Sequence, residues 1–417
     1  MSVDRTALQR ALAARRQEAT DLLCDLIRIP STRGGEGPVN RLLHSRLQGL
    51  ADECDLLPIP ESITEDPDYS FPLEGITYAD RPNLRLVRRG TGGGRSLLIN
   101  THVDVVPPSP GQERAFDPEV RDGIIHGRGA CDAKGQVVTF VLALQALHDL
   151  GLRLRGDVIF HSVIEEECGG NGTLACIRGG DRAEACVVLE PSDLRVQAAV
   201  RGAVWFVLTC YGRSGHSGQA GQTVSALKKA IQAMELMEGY QARLLAASRG
   251  HNPLFDPFPN PMPITFGQLN AGEWPATAPN RAVLKGVLGF LPNKTHPEVQ
   301  RELREVLITE GDEWLREHFD LEFIYRHDGH ELPPDHELVT TMAQAVADAG
   351  GDPQISAMTA SCDGWFYQQQ LQIPTLVIGP GSLGFAHTSE EQIGIEEIVR
   401  GAATLVHFLV RWCGLER

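Results

Sequence analysis

The chain has no stretch approaching the roughly 18 uncharged apolar residues of a membrane span, and it has no Lys/Arg run. It also lacks a CxxC pair, an internal repeat and a low-complexity tract. The first absence excludes a membrane-spanning helix. Positive charge is scarce as well: 38 Lys+Arg against 54 Asp+Glu give a formal net charge of −16. That balance argues against a nucleic-acid partner, which needs a basic face to displace phosphate counterions, and against docking on an anionic membrane. The nine cysteines are odd in number and scattered. They fit reduced thiols in a cytoplasmic protein better than a disulfide framework or a thiolate metal site. The N-terminal segment (1–24) alternates charge with apolar residues and reads as an amphipathic helix, not a signal peptide. What remains is an ordinary globular composition, 42% hydrophobic and 22% charged over 417 residues, enough for two or three folding units.

Several short apolar runs end in polar residues: SLLINTHVD (96–104), DVIFHSVIEEE (157–167), ACVVLEPSD (185–193) and TLVIGPGS (375–382). Each reads as a buried strand opening into a loop. Between the first two lies QVVTFVLALQALHDLG (136–151), apolar nearly all round, which reads as a buried helix ending at Gly151. Strand, helix, strand at this spacing predicts an α/β fold with a mixed, mostly parallel sheet. From about residue 200 the texture changes to a β-α-β-β-α order, the last helix spanning 296–319. This suggests a smaller α+β unit inserted into the larger one. The expected domains are 1–200 with 320–417, and 201–319. Residues 320–327, 336–351 and a C-terminal helix from about 394 are expected to rejoin the larger unit.

In such sheets functional groups gather beyond the carboxyl ends of the strands, which is where His102, Asp104, Glu166, Glu167, Glu190 and, after a Gly-rich turn, His387 fall. His102 and Asp104 lie two apart and share a side of an extended segment. One can ligate a metal while the other takes the second ring nitrogen's proton. Asp132 sits in a Gly-rich loop just before the buried helix, where a carboxylate could bridge two cations. Glu165, Glu166 and Glu167 are consecutive, and burying even two of them is costly without compensating cations. Each feature has a bland reading: HxD is common, three glutamates usually start a solvated helix, and a histidine in a loop is usually surface. Their joint position at the ends of strands of one sheet favours a metal site. Imidazole with carboxylate suits zinc, with manganese or cobalt as alternatives.

THVDVVPP, HGRGACDAKGQ, EEECGGNGT, LEPSD, GRSGHSG and GFAHTSEE, in this order along the chain, resemble the motifs of the acetylornithine deacetylase, succinyl-diaminopimelate desuccinylase and carboxypeptidase G family of dinuclear zinc hydrolases. The resemblance implies a zinc-peptidase-like catalytic domain with an inserted, ferredoxin-like lid and dimerisation domain. It implies two divalent ions per chain: His102 and Glu190 on one, Glu167 and His387 on the other, Asp132 between them. Asp104 would orient His102, and Glu166 would be the general base, leaving Glu165 as an acidic neighbour. His216 matches a lid histidine that stabilises the oxyanion, often across a homodimer, and Asn280 matches a lid asparagine that approaches the substrate.

The chain departs from the family pattern in the lid and in one loop near the substrate. Amino-acid deacylases of the family carry a carboxylate-reading arginine three residues before a lid proline; Gly289 stands there before Pro292. Arg281, Lys285 and Lys294 are the nearby basic residues. The loop SCDGWFY (361–367) resembles one near the substrate, so Asp363 and Trp365 join the expected contacts, with Trp365 where a basic residue is common. That tryptophan suggests either a flatter, less anionic substrate or simple packing, and GEWPATAP brings Trp274 towards the lid. The expected activity is hydrolysis of an amide in a small N-acylated metabolite. An exopeptidase or dipeptidase of the same family is the alternative. A non-catalytic binding protein on this scaffold is the third reading, weakened because every ligand position and the base are intact.

Overall fold

A computed structural model describes residues 3–71, 75–218 and 221–416. Met1 and Ser2 of the N-terminal segment lie outside them, and the segment forms two helices, Arg5–Ala14 and Arg16–Ile27. No described helix is long and apolar enough to cross a membrane.

The larger sheet has nine strands among the described residues. Its centre is parallel, in the order Val158–Val163, Leu97–His102, Cys186–Val188, Thr375–Val377. These strands are buried on both faces, which is why their sequences are nearly continuous apolar runs. Antiparallel strands extend both flanks: Asn83–Arg88 and Glu53–Leu57 on one side, Val196–Val200 and His330–Glu331 on the other. The expected buried helix is Lys134–Asp149. It has no polar stripe because helices and sheet surround it, Phe140 stacking on Phe160 at 4.1 Å between centroids. The C-terminal helix, Ile395–Cys413, packs beside it with a single apolar face.

The register of the centre delivers the polar residues to one place. His102 pairs with Val163, so the acids of 165–167 emerge beside Asp104. Asn100 pairs with Val188, so Glu190 emerges on the other side of His102.

The smaller sheet is antiparallel, in the order Ile264–Ala271, Arg281–Phe290, Gly202–Tyr211, Phe319–His327. Helices Ala226–Ser248 and His296–Glu310 cover one face and share a separate core that includes Ala230, Met237, Val299 and Leu303. This β-α-β-β-α-β order is ferredoxin-like. Two details differ from expectation. Residues 320–327 do not rejoin the larger sheet: Phe319–His327 is the edge strand that completes the smaller one, its period-2 pattern satisfied by pairing with Gly202–Tyr211. The helix expected over 296–319 stops at Glu310, where Gly311 follows and the Asp312 carboxylate caps a new turn at Leu315 N (2.8 Å). The chain crosses between units at Arg201–Gly202 and Asp328–Gly329. The crossings are so close that a Cβ on Gly202 would lie 2.7 Å from the Gly329 nitrogen.

Candidate metal centre

Asp132 stands at the centre of the cluster. One carboxylate oxygen is 3.0 Å from His102 Nε2 and the other 3.3 Å from His387 Nε2. Glu190 Oε2 lies 3.8 Å from His102 Nε2, and Glu167 approaches His387 Nε2 at 2.9 Å. Ligand atoms of His102, Asp132 and Glu167 all fall within 4.8 Å of one another, close enough to hold a metal ion. His102 Nδ1 is 3.0 Å from the main-chain oxygen of Asp104 and 3.5 Å from its carboxylate. The Asp104 side chain does more than face the ring: its two oxygens accept the backbone N–H groups of Glu166 and Glu167, both at 3.1 Å. One aspartate thus ties the His102 strand to the turn that carries both glutamates.

The electrostatics are those of a site built for cations. Burial opposes charge on His102 and His387, yet the surrounding carboxylates outweigh it, holding His102 well above the usual imidazole range and His387 up to about 11. Burial likewise opposes ionisation of Asp132, but hydrogen bonds to the two histidines hold it below the ordinary carboxylate range. Burial raises Glu167 to about 7 and raises Glu166 and Glu190 as well. Protonated imidazoles therefore stand in for positive charge that the acids require. Glu190 Oε1 is buried and, among the described residues, has no hydrogen-bond partner. A buried carboxylate oxygen left unsatisfied costs about 1–3 kcal/mol or more, and a metal ion would satisfy it. The donor set of two imidazoles and three carboxylates fits divalent zinc, cobalt or manganese.

Glu165 faces away from this cluster. It pairs with Arg81 (2.6 Å) and Arg33 (3.2 Å) and accepts hydrogen bonds from Tyr78 Oη and Asn171 Nδ2 (both 2.8 Å). Arg81 also binds Glu36 through two 2.7 Å bonds. Its left-handed φ of 62° turns Glu165 into this ionic network while Glu166 and Glu167 face the histidines.

Three residues that sequence reading left without a role brace the cluster. Glu391 accepts from the backbone N–H of Asp132 (3.2 Å) and from Arg128 Nη1 (2.5 Å), and Arg128 Nη2 donates to Ser109 Oγ (2.8 Å). Arg128 and Glu391 lie inside HGRGACDAKGQ and GFAHTSEE. The signal was two charged residues inside those motifs, and only their burial, about 1% exposed each, reveals it.

The remaining expected residues fall elsewhere. Asp363 is fully buried, accepts from Thr173 Oγ1 (2.5 Å), and is raised to about 7 by burial. Trp365 is 5% exposed and stacks on His327 at 4.7 Å, so packing accounts for it. His216 and Asn280 are exposed on the smaller unit. Gly215–His216 pairs with Thr277–Ala278, and His216 Nδ1 accepts from the Gly218 N–H at 3.1 Å. Among the described residues no hydrogen bond joins His216 or Asn280 to the metal cluster. At Gly289 a Cβ would lie 1.8 Å from Nη1 of Arg201, so the guanidinium of Arg201 fills the space a side chain would need. Arg201 Nη1 is buried without a partner among the described residues, and burial lowers the group to about 10. Of the other cations near position 289, Lys294 is paired with Glu302 (2.6 Å).

Residues 98–411 match the model of Peptidase family M20/M25/M40, so the chain belongs to that family. It is 29% identical over 371 residues to the N-formyl-4-amino-5-aminomethyl-2-methylpyrimidine deformylase of Halalkalibacterium halodurans, covering 82% of this chain and 85% of that protein. It is 26% identical over 414 residues to the succinyl-diaminopimelate desuccinylase of Rhodospirillum centenum, covering 93% of this chain and 95% of that protein. Among solved structures, the di-peptidase Dug1p of Saccharomyces cerevisiae shares the fold, with a TM-score of 0.82, 14% identity and 99% of each chain covered.

Proposed function

We propose that this member of Peptidase family M20/M25/M40 hydrolyses the amide bond of a small N-acylated metabolite at a centre of two divalent ions. His102 and Glu190 would hold one ion, Glu167 and His387 the other, and Asp132 both. The observation that carries this reading is the Asp132 carboxylate, each of whose oxygens faces a different histidine. When bound, such ions bring the pKa of water towards neutrality and polarise a carbonyl. The residues do the rest. Glu166, raised by burial, takes the water's proton and passes it to the leaving nitrogen. Asp104 fixes the backbone of Glu166 and Glu167 so that base and ligand keep their relative positions.

The smaller unit supplies the second half. His216 donates to the developing oxyanion and Asn280 approaches the substrate. Both are exposed on the single chain, which supports a homodimer in which the lid of one copy completes the site of another. Arg201, whose guanidinium fills the place at Gly289, would be the basic group that takes over from the absent lid arginine. The similarity to a deformylase of an aminomethylpyrimidine supports a short acyl group, formyl or acetyl, on the amine of a flat heteroaromatic. Zinc is the metal we assign. All nine cysteines are free, which supports a reducing, cytoplasmic location.

The test is a screen of zinc-loaded protein against N-formyl, N-acetyl and N-succinyl amines and dipeptides. Release of formate or acetate is expected. Release of amino acids from dipeptides alone would reassign the chain as an exopeptidase, and no turnover with two ions bound would leave a binding protein.

A further inference from the structure

Arg128 is among the largest fully buried side chains of the molecule, and Glu391, its partner at 2.5 Å, is equally buried. Taking such a pair out of water is expensive, so a buried ion pair is weak evidence for stability and asks for another reason. The hydrogen bonds supply one. Glu391 Oε1 accepts the backbone N–H groups of Cys131 (3.3 Å) and Asp132 (3.2 Å). Its other oxygen accepts Arg128 Nη1, Arg128 Nη2 donates to Ser109 Oγ (2.8 Å), and Ser109 Oγ donates to the main-chain oxygen of His387 (2.9 Å). The two ends of this chain of bonds are the backbones of Asp132 and His387. His387 holds a left-handed φ of 61°, a conformation that a non-glycine residue keeps only where the surroundings enforce it. By contrast, His102 sits at the end of a central strand and Glu190 just beyond its neighbour, and neither takes part in the chain.

We propose that Ser109, Arg128 and Glu391 are positioning residues that set the spacing between Asp132 and His387, and so tune the metal position of Glu167 and His387 selectively. This rests on the two-ion reading above. Partners of metal ligands fix ligand orientation, and losing one weakens metal affinity without removing a ligand. Asp132 serves both positions but His387 only one, so loosening the His387 end of the relay should weaken the Glu167 and His387 position far more than the other, whereas a general loss of structure would lower both together.

The experiment is stepwise chelator competition for zinc, with cobalt absorption as a second readout of ligand geometry, on wild type, Ser109→Ala, Ser109→Thr and Arg128→Lys. Ser109→Ala and Arg128→Lys should weaken one equivalent, that of Glu167 and His387, about 10- to 100-fold and the other by less than about 3-fold, with Ser109→Thr near wild type. Equal weakening of both equivalents, no change in either, or failure of threonine to restore the alanine loss would overturn the relay. Wild-type protein that binds fewer than two equivalents would overturn the two-ion reading itself, and the relay with it.

Discussion

In the larger unit, His102 and Glu190 at the ends of strands that pack on both faces, and Asp132 in the loop before the buried helix, are almost wholly buried. In the smaller unit, His216 and Asn280 stand exposed beside a ribbon of two-residue strands, with Trp274 69% exposed on the same ribbon. The first set is over-determined. Asp104 holds two backbone amides, and Glu391 holds the amide of Asp132. The second set carries little more than its own turn. The difference separates a preorganised cluster, whose geometry is fixed by the fold, from a surface held by few contacts beyond its own turn. Changes in the first region should move chemistry, metal or stability; changes in the second should move turnover and leave the fold alone.

Glu166→Gln should produce the largest effect, a fall in kcat of about 10³–10⁴-fold with metal content unchanged. Retained turnover in metal-replete protein would place the base elsewhere. Arg81→Met leaves Glu36 and Glu165 buried without their shared cation and should cost about 3–5 kcal/mol in denaturant unfolding. A loss below about 1 kcal/mol, the scale of an exposed ion pair, would show the network to be solvated after all.

Acid should unmask a third buried group. His330 is 1% exposed, neither ring nitrogen has a partner among the described residues, and burial lowers it from 6.5 to about 4. The unfolded chain then takes up the proton first, so stability is complete above pH 6.5 and is lost as pH falls towards 4. The loss is about 3 kcal/mol at 1.36 kcal/mol per pH unit. Urea midpoints measured across that window should flatten in His330→Leu; an unchanged slope would assign the acid sensitivity to other groups.

On the exposed side, His216→Ala should lower kcat about 10²-fold, the scale of one oxyanion donor, while shifting unfolding by less than about 0.5 kcal/mol. A stability loss as large as that of Arg81→Met would erase the contrast between the regions. Trp274→Ala, with its ring in solvent, should move stability least, again under about 0.5 kcal/mol, and its KM for aromatic against aliphatic amides tells whether the ring meets substrate.

Residues whose role follows from local pattern were legible beforehand. His102, Asp104 and Glu190 end apolar runs, and a parallel sheet brings the ends of such runs together whatever the loops do. The buried helix and the inserted unit were equally readable, because period and composition are local. Glu391, Arg128 and Arg201 were not, since a charged residue in a loop motif looks the same in sequence whether it is solvated or fully buried. Trp365 fell among the expected substrate contacts because position in a motif does not reveal stacking on His327. Residues 320–327 were assigned to the wrong sheet for a related reason. Its alternation fits either edge, and only pairing with Gly202–Tyr211 decides.

The sequence alone thus determined the α/β frame, a smaller α+β insertion and the acids and histidines that follow the strand ends, because hydrophobic periodicity and strand ends are properties of neighbours in the chain. Tertiary structure decided which of three consecutive glutamates turns away into an ionic network, which buried pair braces the cluster, and whose guanidinium fills the place at Gly289. Each of those depends on groups far apart in sequence, whose charge and burial acquire a cost only when the fold removes them from water.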